Sequence, residues 1–341
     1  MSKFHSSHGG GALSLVAVAA VLLTSCSAGG QQGAEDDSAV PQKMTFVVPT
    51  SAGGGVDTAA RQLQPYLEDE LGSTLTVVNR EGGATTIGTG SILESTDCST
   101  ILITAIPHIT LSYLAHDVDY DLSSFAAVGG VSVEPGVIRV AKDAPWSTLE
   151  ELVTDAKQRP GEITVSVSEA VSSNAFGIAQ IEKATGADFN IVPFDGGGPS
   201  RLAVVSGEVD ATHAGVFNSL PIADDSRVLA VQASENRWKA VTDDAPTVKE
   251  ALGIDVPDNE STYNVWTSAE CATNHPERYQ AIVDALAAAV NSDGLKSDLE
   301  KVGEELKLDA RTPEQVESDA KIAEDEIREM MADNPDLLSG E

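Results

Sequence analysis

Strand-like and helix-like segments alternate near the start of the chain, and this alternation limits the fold more than any other feature. Residues 44–48, 74–78 and 99–104 are short apolar segments of the strand type. Residues 57–71 and 86–93, which lie between them, have helical character. Alternation of this kind predicts a mainly parallel sheet with helices on both faces.

A second series of the same kind begins near residue 137. Its predicted strands are 137–140, 162–167, 189–192, 209–213 and 228–232, and its predicted helices open at Ser147 and span 174–185 and 199–206. After a short strand at 263–266 only helices are predicted, at 276–291, at 297–304 and after a Thr312-Pro313-Glu314-Gln315 capping box. Helices without a sheet of their own must pack elsewhere, and the first series is the nearest place.

The two series predict two α/β domains. Domain 1 comprises residues 44–136 plus 266–341, and domain 2 comprises residues 137–265. The chain then crosses twice between the domains, which makes a hinge. A cleft between two α/β domains is where ligands usually bind.

The first residues predict export and lipid anchoring. An 11-residue apolar run from Leu13 to Leu23 is too short to span a bilayer and fits the core of a signal peptide. Leu23-Thr24-Ser25-Cys26 resembles a bacterial lipobox, in which the cysteine is lipidated. We therefore expect residues 1–25 to be a lipoprotein signal peptide and residues 26–43 a flexible tether. The protein is expected outside the cytoplasmic membrane, anchored by a lipidated Cys26.

The charge of the chain excludes some partners. Its 341 residues include 53 acidic and 21 basic side chains, a formal net charge of -32. A phosphate backbone needs a basic face, so nucleic acid is excluded as a partner. Two further cysteines, Cys98 and Cys271, form either a disulfide or two buried free thiols, and neither has the spacing of a metal or redox site. We expect no metal and no cofactor.

Two loops with three consecutive glycines follow predicted strands and precede predicted helices. They are Ser51-Ala52-Gly53-Gly54-Gly55 in the first series and Phe194-Asp195-Gly196-Gly197-Gly198 in the second. Glycine lets backbone N–H groups approach a ligand closely, and a helix N-terminus adds about half a positive charge. The loops therefore favour a small anion, which such a site holds without needing a basic side chain.

Two nucleotide-binding readings fit less well. A P-loop requires Gly-Lys-Ser/Thr, whereas Gly55 is followed by Val56 and Asp57. A dinucleotide fold would place Glu81 on a ribose, but the third glycine of its motif is replaced by Thr58. The glycines could also do no more than shape tight turns, although their pairing in two series argues against this.

Several motifs in the right order resemble the extracytoplasmic solute receptors of the tripartite tricarboxylate transporter family, also called Bug-type binding proteins. The similarity covers nearly everything after the tether. The motifs are Pro49 to Asp57, Val77-Val78-Asn79-Arg80-Glu81-Gly82-Gly83-Ala84, Val192 to Pro199, Gly207-Glu208-Val209-Asp210 and Asp244-Ala245-Pro246-Thr247-Val248. The resemblance implies a two-domain α/β fold of the periplasmic-binding-protein type II class, with a hinge and an interdomain cleft. It also implies delivery of a small carboxylate to the subunits of a membrane permease.

The resemblance also implies a set of ligand-binding residues. Family members hold the ligand largely through backbone amides of the two glycine loops and through ordered water. Carried over, the ligand-binding residues are Ser51, Ala52, Gly53, Gly54, His108, Ser168, Ser172, Ser173, Asn174, Phe194, Asp195, Gly196, Gly197 and Asn218. Asp57 fits a helix N-cap better than a ligand group. If His108 contacts the ligand, affinity should rise as the pH falls through its titration.

One departure from the family bears on the ligand. Many relatives have an acidic residue just after the strand that corresponds to 209–213, whereas this chain has Ala214 and Gly215. A ligand with an ammonium group would lose its counter-charge there, so a plain di- or tricarboxylate is favoured over an amino acid. Two other functions stay open: a sensing lipoprotein for a signalling partner, and a secreted enzyme. The enzyme is disfavoured because no Gly-x-Ser-x-Gly or His-Glu-x-x-His motif occurs.

Overall fold

The computed structural model describes residues 40–83, 85–170 and 172–333. The predicted signal peptide, Cys26 and most of the predicted tether lie outside the described residues. Within the last residues of that tether, Val40 already packs against the core and Lys43 begins the first strand.

The strands of the described residues occupy the positions that the alternation predicts, with one large exception. They are β1 (Lys43–Val48), β2 (Thr74–Asn79), β3 (Thr100–Ile106), β4 (Phe125–Ala141), β5 (Thr164–Val167), β6 (Asn190–Pro193), β7 (Ala211–Gly215), β8 (Ser226–Gln232) and β9 (Glu260–Ser268). The exception is β4, which the sequence predicted only over residues 137–140. Its first half contains Gly129, Gly130 and Pro135, which act as strand breakers in a sequence pattern.

The predicted helices are present, and three further short helices of the described residues were not predicted from the sequence. The helices are α1 (Gly55–Leu71), α2 (Thr86–Gly90), α3 (His108–Leu114), α4 (Leu149–Gln158), α5 (Ser173–Thr185), α6 (Gly197–Ser206), α7 (Val248–Leu252), α8 (Ala269–Asn274), α9 (Pro276–Val290), α10 (Asp293–Glu300) and α11 (Pro313–Asp333). The three that were not predicted are α3, α7 and α8. The capping box of α4 is formed by Thr148 and Glu151, one residue later than the predicted start at Ser147. At α11, Thr312 and Gln315 exchange the predicted pair of capping hydrogen bonds.

The strands form two sheets that share β4. In the first sheet β2, β1 and β3 are parallel, and the antiparallel strands β9 and β4 follow. In the second sheet β6, β5 and β7 are parallel, and β4 pairs antiparallel with both β7 and β8. Strand β4 pairs with β9 through Pro135 and with β7 and β8 from Gly136 onward. The predicted domain division at residues 136/137 and 265/266 stays a prediction.

Each sheet has its own apolar core. Leu63 and Leu67 of α1 and Ile282 of α9 cover the first sheet, and all three are essentially inaccessible to solvent. Burying one such side chain stabilises the fold by roughly 1.5 to 3 kcal/mol. Val316 and Ala320 of α11 pack against the same sheet with Trp266 of β9. The second sheet is covered by α4, α5 and α7, whose buried residues are Leu149, Leu152, Val153, Ala156, Ile178, Ile181 and Val248.

A disulfide joins Cys98 and Cys271 beside the first core. Their Cα atoms are 5.1 Å apart and their separation in the chain is 173 residues. In the loop-entropy picture such a cross-link stabilises the fold by roughly 3 to 5 kcal/mol. The disulfide links the loop before β3 to α8, which ties the last third of the chain to the first sheet.

Candidate functional site

The two glycine loops meet across a cavity of about 90 Å³. A Cβ atom on Gly196 would lie 3.5 Å from Oγ of Ser51, so the loops are close to contact. The cavity is lined by Thr50, Ser51, Gly54, Gly55, Val56, His108, Glu134, Gly136, Ser168, Glu169, Ser173, Asn174, Gly196, Gly197, Ser200, Arg201, His213, Ala214, Gly215, Asn218, Asn259, Ser261 and Tyr263. It therefore collects residues from both sheets.

The first loop is held from behind by Asp57. Gly53, at a φ of +80°, donates its N–H to Asp57 Oδ2 at 2.8 Å, and Arg61 forms an ion pair with the same carboxylate at 3.0 Å. Asn79 donates to Asp57 Oδ1 and to the carbonyl of Thr50, both at 3.0 Å. Asp57 is thus the third residue of α1, which reaches back to the loop, and not the N-cap; that position belongs to Gly54.

The first turn of α1 presents its N–H groups to the cavity. Gly54 donates its N–H to the carbonyl of Ser51 at 3.2 Å, so this donor is used within the loop. No side chain caps α1, and among the described residues the N–H groups of Gly55 and Val56 have no acceptor. Two backbone donors at a helix N-terminus are therefore available to an anion.

The second loop repeats this arrangement on α6. Gly196, at a φ of +101°, donates its N–H to the carbonyl of Ser168 at 2.8 Å. No side chain caps α6, and the N–H groups of Gly197 and Gly198 have no acceptor within the described part of the chain. The donors of both loops therefore lie in the helices that follow, one or two residues later than Gly53, Gly54 and Gly196.

Arg201 adds a positive charge to the second loop. It follows Gly197 by one helical turn, and a Cβ atom on Gly197 would lie 2.7 Å from its Nη1. Glycine at 197 therefore lets the guanidinium lie over the N-terminus of α6. No hydrogen bond or ion pair to the described residues involves Arg201. Burial lowers the pKa of Arg201, and nearby Glu134 and Tyr263 partly offset this lowering. A guanidinium nevertheless stays charged at any ordinary pH.

A chain of hydrogen bonds orients the polar side chains on the second sheet. Ser168 Oγ donates to Asn174 Oδ1 at 2.9 Å, and Asn174 Nδ2 lies 3.1 Å from His213 Nδ1. His213 Nε2 lies 3.0 Å from Gln232 Oε1, and Gln232 Nε2 donates to Gln180 at 2.8 Å. These partners require His213 to carry its proton on Nε2. Burial lowers the pKa of His213 to about 4, so the ring is neutral.

His108 connects the two sheets across the cavity. Its Nε2 accepts the N–H of Ser173 at 3.4 Å, which puts the ring proton on Nδ1, a buried atom with no hydrogen-bond partner among the described residues. Burial lowers the pKa of His108 to about 4. The gain in ligand affinity expected on protonation of His108 should therefore occur at far more acidic pH than the range in which an ordinary histidine titrates.

Glu134, Asn218 and Tyr263 form the floor of the cavity beside α1. The N–H of Asn218 donates to Glu134 Oε1 at 3.0 Å, and Asn218 Nδ2 donates to Tyr263 Oη at 3.0 Å. A Cβ atom on Gly55 would lie 2.5 Å from Tyr263 Oη, so only glycine fits there. Burial raises the pKa of Glu134 to about 7. Ala214 and Gly215 carry no acidic side chain themselves, but Glu134 enters from β4 and lies beside Gly215.

The sequence model of the Tripartite tricarboxylate transporter family receptor matches residues 59–329 of the chain. The chain belongs to this family. The resemblance found in the glycine-loop motifs is thereby confirmed, and the family is one of solute-binding receptors and not of enzymes.

Individual relatives agree with this assignment. The receptor is 31% identical to Protein BugT of Bordetella pertussis over 173 residues, which cover 48% of this chain and 52% of that protein. The match thus spans about half the length of this curated relative. The structure of R. palustris Rpa4515 with adipate superposes with a TM-score of 0.71 at 24% identity, over 85% of this chain and 96% of that one. MatC from Rhodopseudomonas palustris with bound malate gives a TM-score of 0.68 at 22% identity, over 83% and 98%. These structures confirm the periplasmic-binding-protein fold.

The receptor brings most of the predicted ligand-binding residues to the cavity. Those in its lining are Ser51, Gly54, His108, Ser168, Ser173, Asn174, Gly196, Gly197 and Asn218. The remaining five are Ala52, Gly53, Ser172, Phe194 and Asp195, and none of them is in the lining.

Local structure explains why each of these five residues lies outside the cavity lining. Ala52, Gly53 and Asp195 are exposed at the loop tips. Ser172 is the N-cap of α5, where its Oγ accepts the N–H of Ala175 at 3.2 Å. Phe194 packs against the small core between α6 and the following turn.

Sequence reasoning missed three charged residues of the lining, Glu134, Glu169 and Arg201. Arg201 stands one turn after Gly197, a spacing that places it over the start of its own helix. Glu134 is a single carboxylate within a long apolar segment, which is a signal in itself. In the described residues no group of three or more His, Cys, Asp or Glu side chains could hold a metal ion. No helix of residues 40–333, apart from the two undescribed positions, has the length and apolar character of a membrane span.

Proposed function

We propose that this receptor binds a small carboxylate of the di- or tricarboxylate type in the cavity between the glycine loops and delivers it to a tripartite tricarboxylate-type membrane transporter. The observation that carries the proposal is the convergence of donors without acceptors. Gly55 and Val56 at the start of α1 and Gly197 at the start of α6 line one cavity together with Arg201. A carboxylate supplies the acceptors that these groups lack.

The size and chemistry of the cavity fit a small acid. A volume of about 90 Å³ suits a molecule of a few carbon atoms and not a sugar chain or peptide. The two histidines in the lining are neutral, so Arg201 is the cation available to the ligand there. The adipate and malate bound by the two R. palustris proteins are small acids of this class.

We further propose that the receptor acts outside the cytoplasmic membrane, anchored by lipid on Cys26. The disulfide between Cys98 and Cys271 supports this location, since disulfides persist in oxidising compartments. Metabolic labelling with a radioactive fatty acid tests the anchor: wild-type protein should incorporate the label and Cys26→Ser should not. Label on neither protein would overturn the anchoring.

Ligand binding is tested by a thermal-shift screen followed by calorimetric titration of residues 40–341. The panel contains monocarboxylates, dicarboxylates and tricarboxylates, with sugars and polyamines as controls. At a hundredfold excess over Kd, a true ligand should raise the melting temperature by roughly 5 °C. Stabilisation by a sugar or a polyamine alone would refute carboxylate binding. Uptake of the labelled ligand by cells with and without the receptor then separates transport from sensing.

A further inference from the structure

Glu134 occupies a position in the cavity that exists only because residue 215 is glycine. A Cβ atom on Gly215 would lie 2.1 Å from Glu134 Oε1. Ala214 and Gly215, at the end of β7, carry no acidic side chain, and a carboxylate from β4 stands beside their backbone. Glu134 is only 5% exposed, and it lines the cavity together with Arg201.

The protein leaves this carboxylate without a bound cation. Oε1 accepts the N–H of Asn218, and the N–H of Phe217 also favours the ionised form, but no side chain of the described residues donates a hydrogen bond to the carboxylate. Arg201 and Lys307 act on Glu134 only at a distance, because no ion pair joins it to either within the described chain. Lys307 is bonded to Glu304 and to Gln62 instead. Of its other titratable neighbours, Glu304 repels it and Tyr263 is neutral.

A buried carboxylate that is held only by backbone N–H groups and pairs with no cation is unfavourable, and an anionic ligand beside it makes the situation worse. A ligand that also carries a donor removes both problems. Among the described residues the lining holds one guanidinium, that of Arg201, and two carboxylates, those of Glu134 and the less buried Glu169. An acid with a donor group of its own therefore complements the cavity better than an acid with none.

We propose that Glu134 selects, among small carboxylic acids, those that also carry an ammonium or hydroxyl donor. The donor binds Glu134 while Arg201 and the first-turn N–H groups of α1 and α6 hold the ligand carboxylate. This inference rests on the proposed carboxylate-binding function. For a ligand with an ammonium group, it reverses the sequence-based preference for a plain di- or tricarboxylate over an amino acid.

The test compares succinate, malate and aspartate, which differ only in a hydrogen, a hydroxyl or an ammonium group on one carbon. Calorimetric titrations at about pH 8, where Glu134 is ionised, should give malate or aspartate at least about tenfold tighter binding than succinate. Tighter binding of aspartate identifies the ammonium as the donor, and tighter binding of malate identifies the hydroxyl. In Glu134→Gln the preference should shrink to within about threefold. Glu260→Gln, a partly buried carboxylate outside the cavity, should keep it.

A second measurement uses wild-type protein alone, so that it does not depend on the folding of a variant. Titrations in buffers of different ionisation enthalpy count the protons taken up on binding. Binding of succinate should be accompanied by the uptake of close to one proton, because the charge of succinate forces Glu134 to protonate. Binding of the preferred acid should be accompanied by no proton uptake. Equal affinities and equal proton uptake for all three acids would overturn the selection by Glu134 while leaving carboxylate binding intact. If no carboxylic acid binds wild-type protein, both proposals fail.

Discussion

The first glycine loop uses its nearby arginine for itself, whereas the second leaves its arginine to the cavity. Arg61 on α1 is paired with Asp57, which in turn holds Gly53 and Asn79. Arg201 on α6 has no such partner, and the N–H of Gly196 is held by a carbonyl, that of Ser168. The two loops have similar sequences, and both begin helices without a side-chain cap.

This difference separates two tasks. The first loop is a neutral, pre-organised set of backbone donors, because its charges are consumed in holding it. The second loop contributes net positive charge where the ligand binds. Pre-organisation reduces the cost of ordering on binding, while an unpaired cation supplies attraction and orientation.

The largest effect is expected from Arg201→Gln. The variant loses charge-assisted hydrogen bonds to a carboxylate, which contribute about 3 kcal/mol, so ligand binding should weaken about 100-fold. The melting temperature of the empty protein should change by no more than a few degrees. Titration calorimetry measures the affinity. Arg159→Gln, an exposed arginine at the C-cap of α4, is the control. A loss below about threefold in Arg201→Gln would remove the contrast between the loops.

The next effect separates Arg201 from the backbone that carries it. Gly197→Ala places a Cβ atom 2.7 Å from Nη1 of Arg201 and should displace the guanidinium, which weakens binding about tenfold. Gly198→Ala meets nothing within 4 Å, so its loss should be several times smaller. Both variants make the same chemical change in the same helical turn. Equal losses would mean that the glycines, and not the placement of Arg201, determine the affinity.

Asp57→Asn should affect stability more than affinity. Burial raises the pKa of Asp57, but hydrogen bonds from Arg61, Gly53 and Asn79 outweigh it and hold the pKa below the usual value. Its stabilisation is therefore present above about pH 4 and is lost as the pH falls through the lower folded pKa. Urea unfolding at neutral pH should show a loss of about 1 to 2 kcal/mol, against about a threefold loss of affinity. A difference between wild type and variant that does not shrink as the pH falls below about 4 would contradict this account.

The smallest effect concerns His108. Because its pKa is lowered to about 4, the ring stays neutral over the range in which an ordinary histidine titrates. The ratio of ligand affinities between wild type and His108→Gln should therefore stay constant within about twofold from pH 8 down to about pH 5. A ratio that rises as the pH falls through 6.5 would show that a charged His108 binds the anion.

The sequence was sufficient to predict what depends on local pattern and insufficient for what depends on side-chain direction. The strands β1, β2, β3 and β5 and the helices α1, α5 and α9 follow from apolar periodicity and end signals. The first half of β4 does not, because its glycines and proline break the pattern while distant strands supply its pairing. The glycine loops were found and Gly197 was among the predicted residues, but the N–H groups of Gly55, Val56 and Gly198, which have no acceptor among the described residues, were not. Arg201 and Glu134 reach the cavity through room left by Gly197 and Gly215, which no linear pattern records.

The close approach of Glu134 and Gly215 has an evolutionary consequence. The two positions share one volume, since any side chain at 215 would overlap the carboxyl group of residue 134. A homologue can therefore carry a bulky residue at one of these positions only if the other is small. Positions 134 and 215 should change together across the family, and the pair should sort its members by the ligands that they accept.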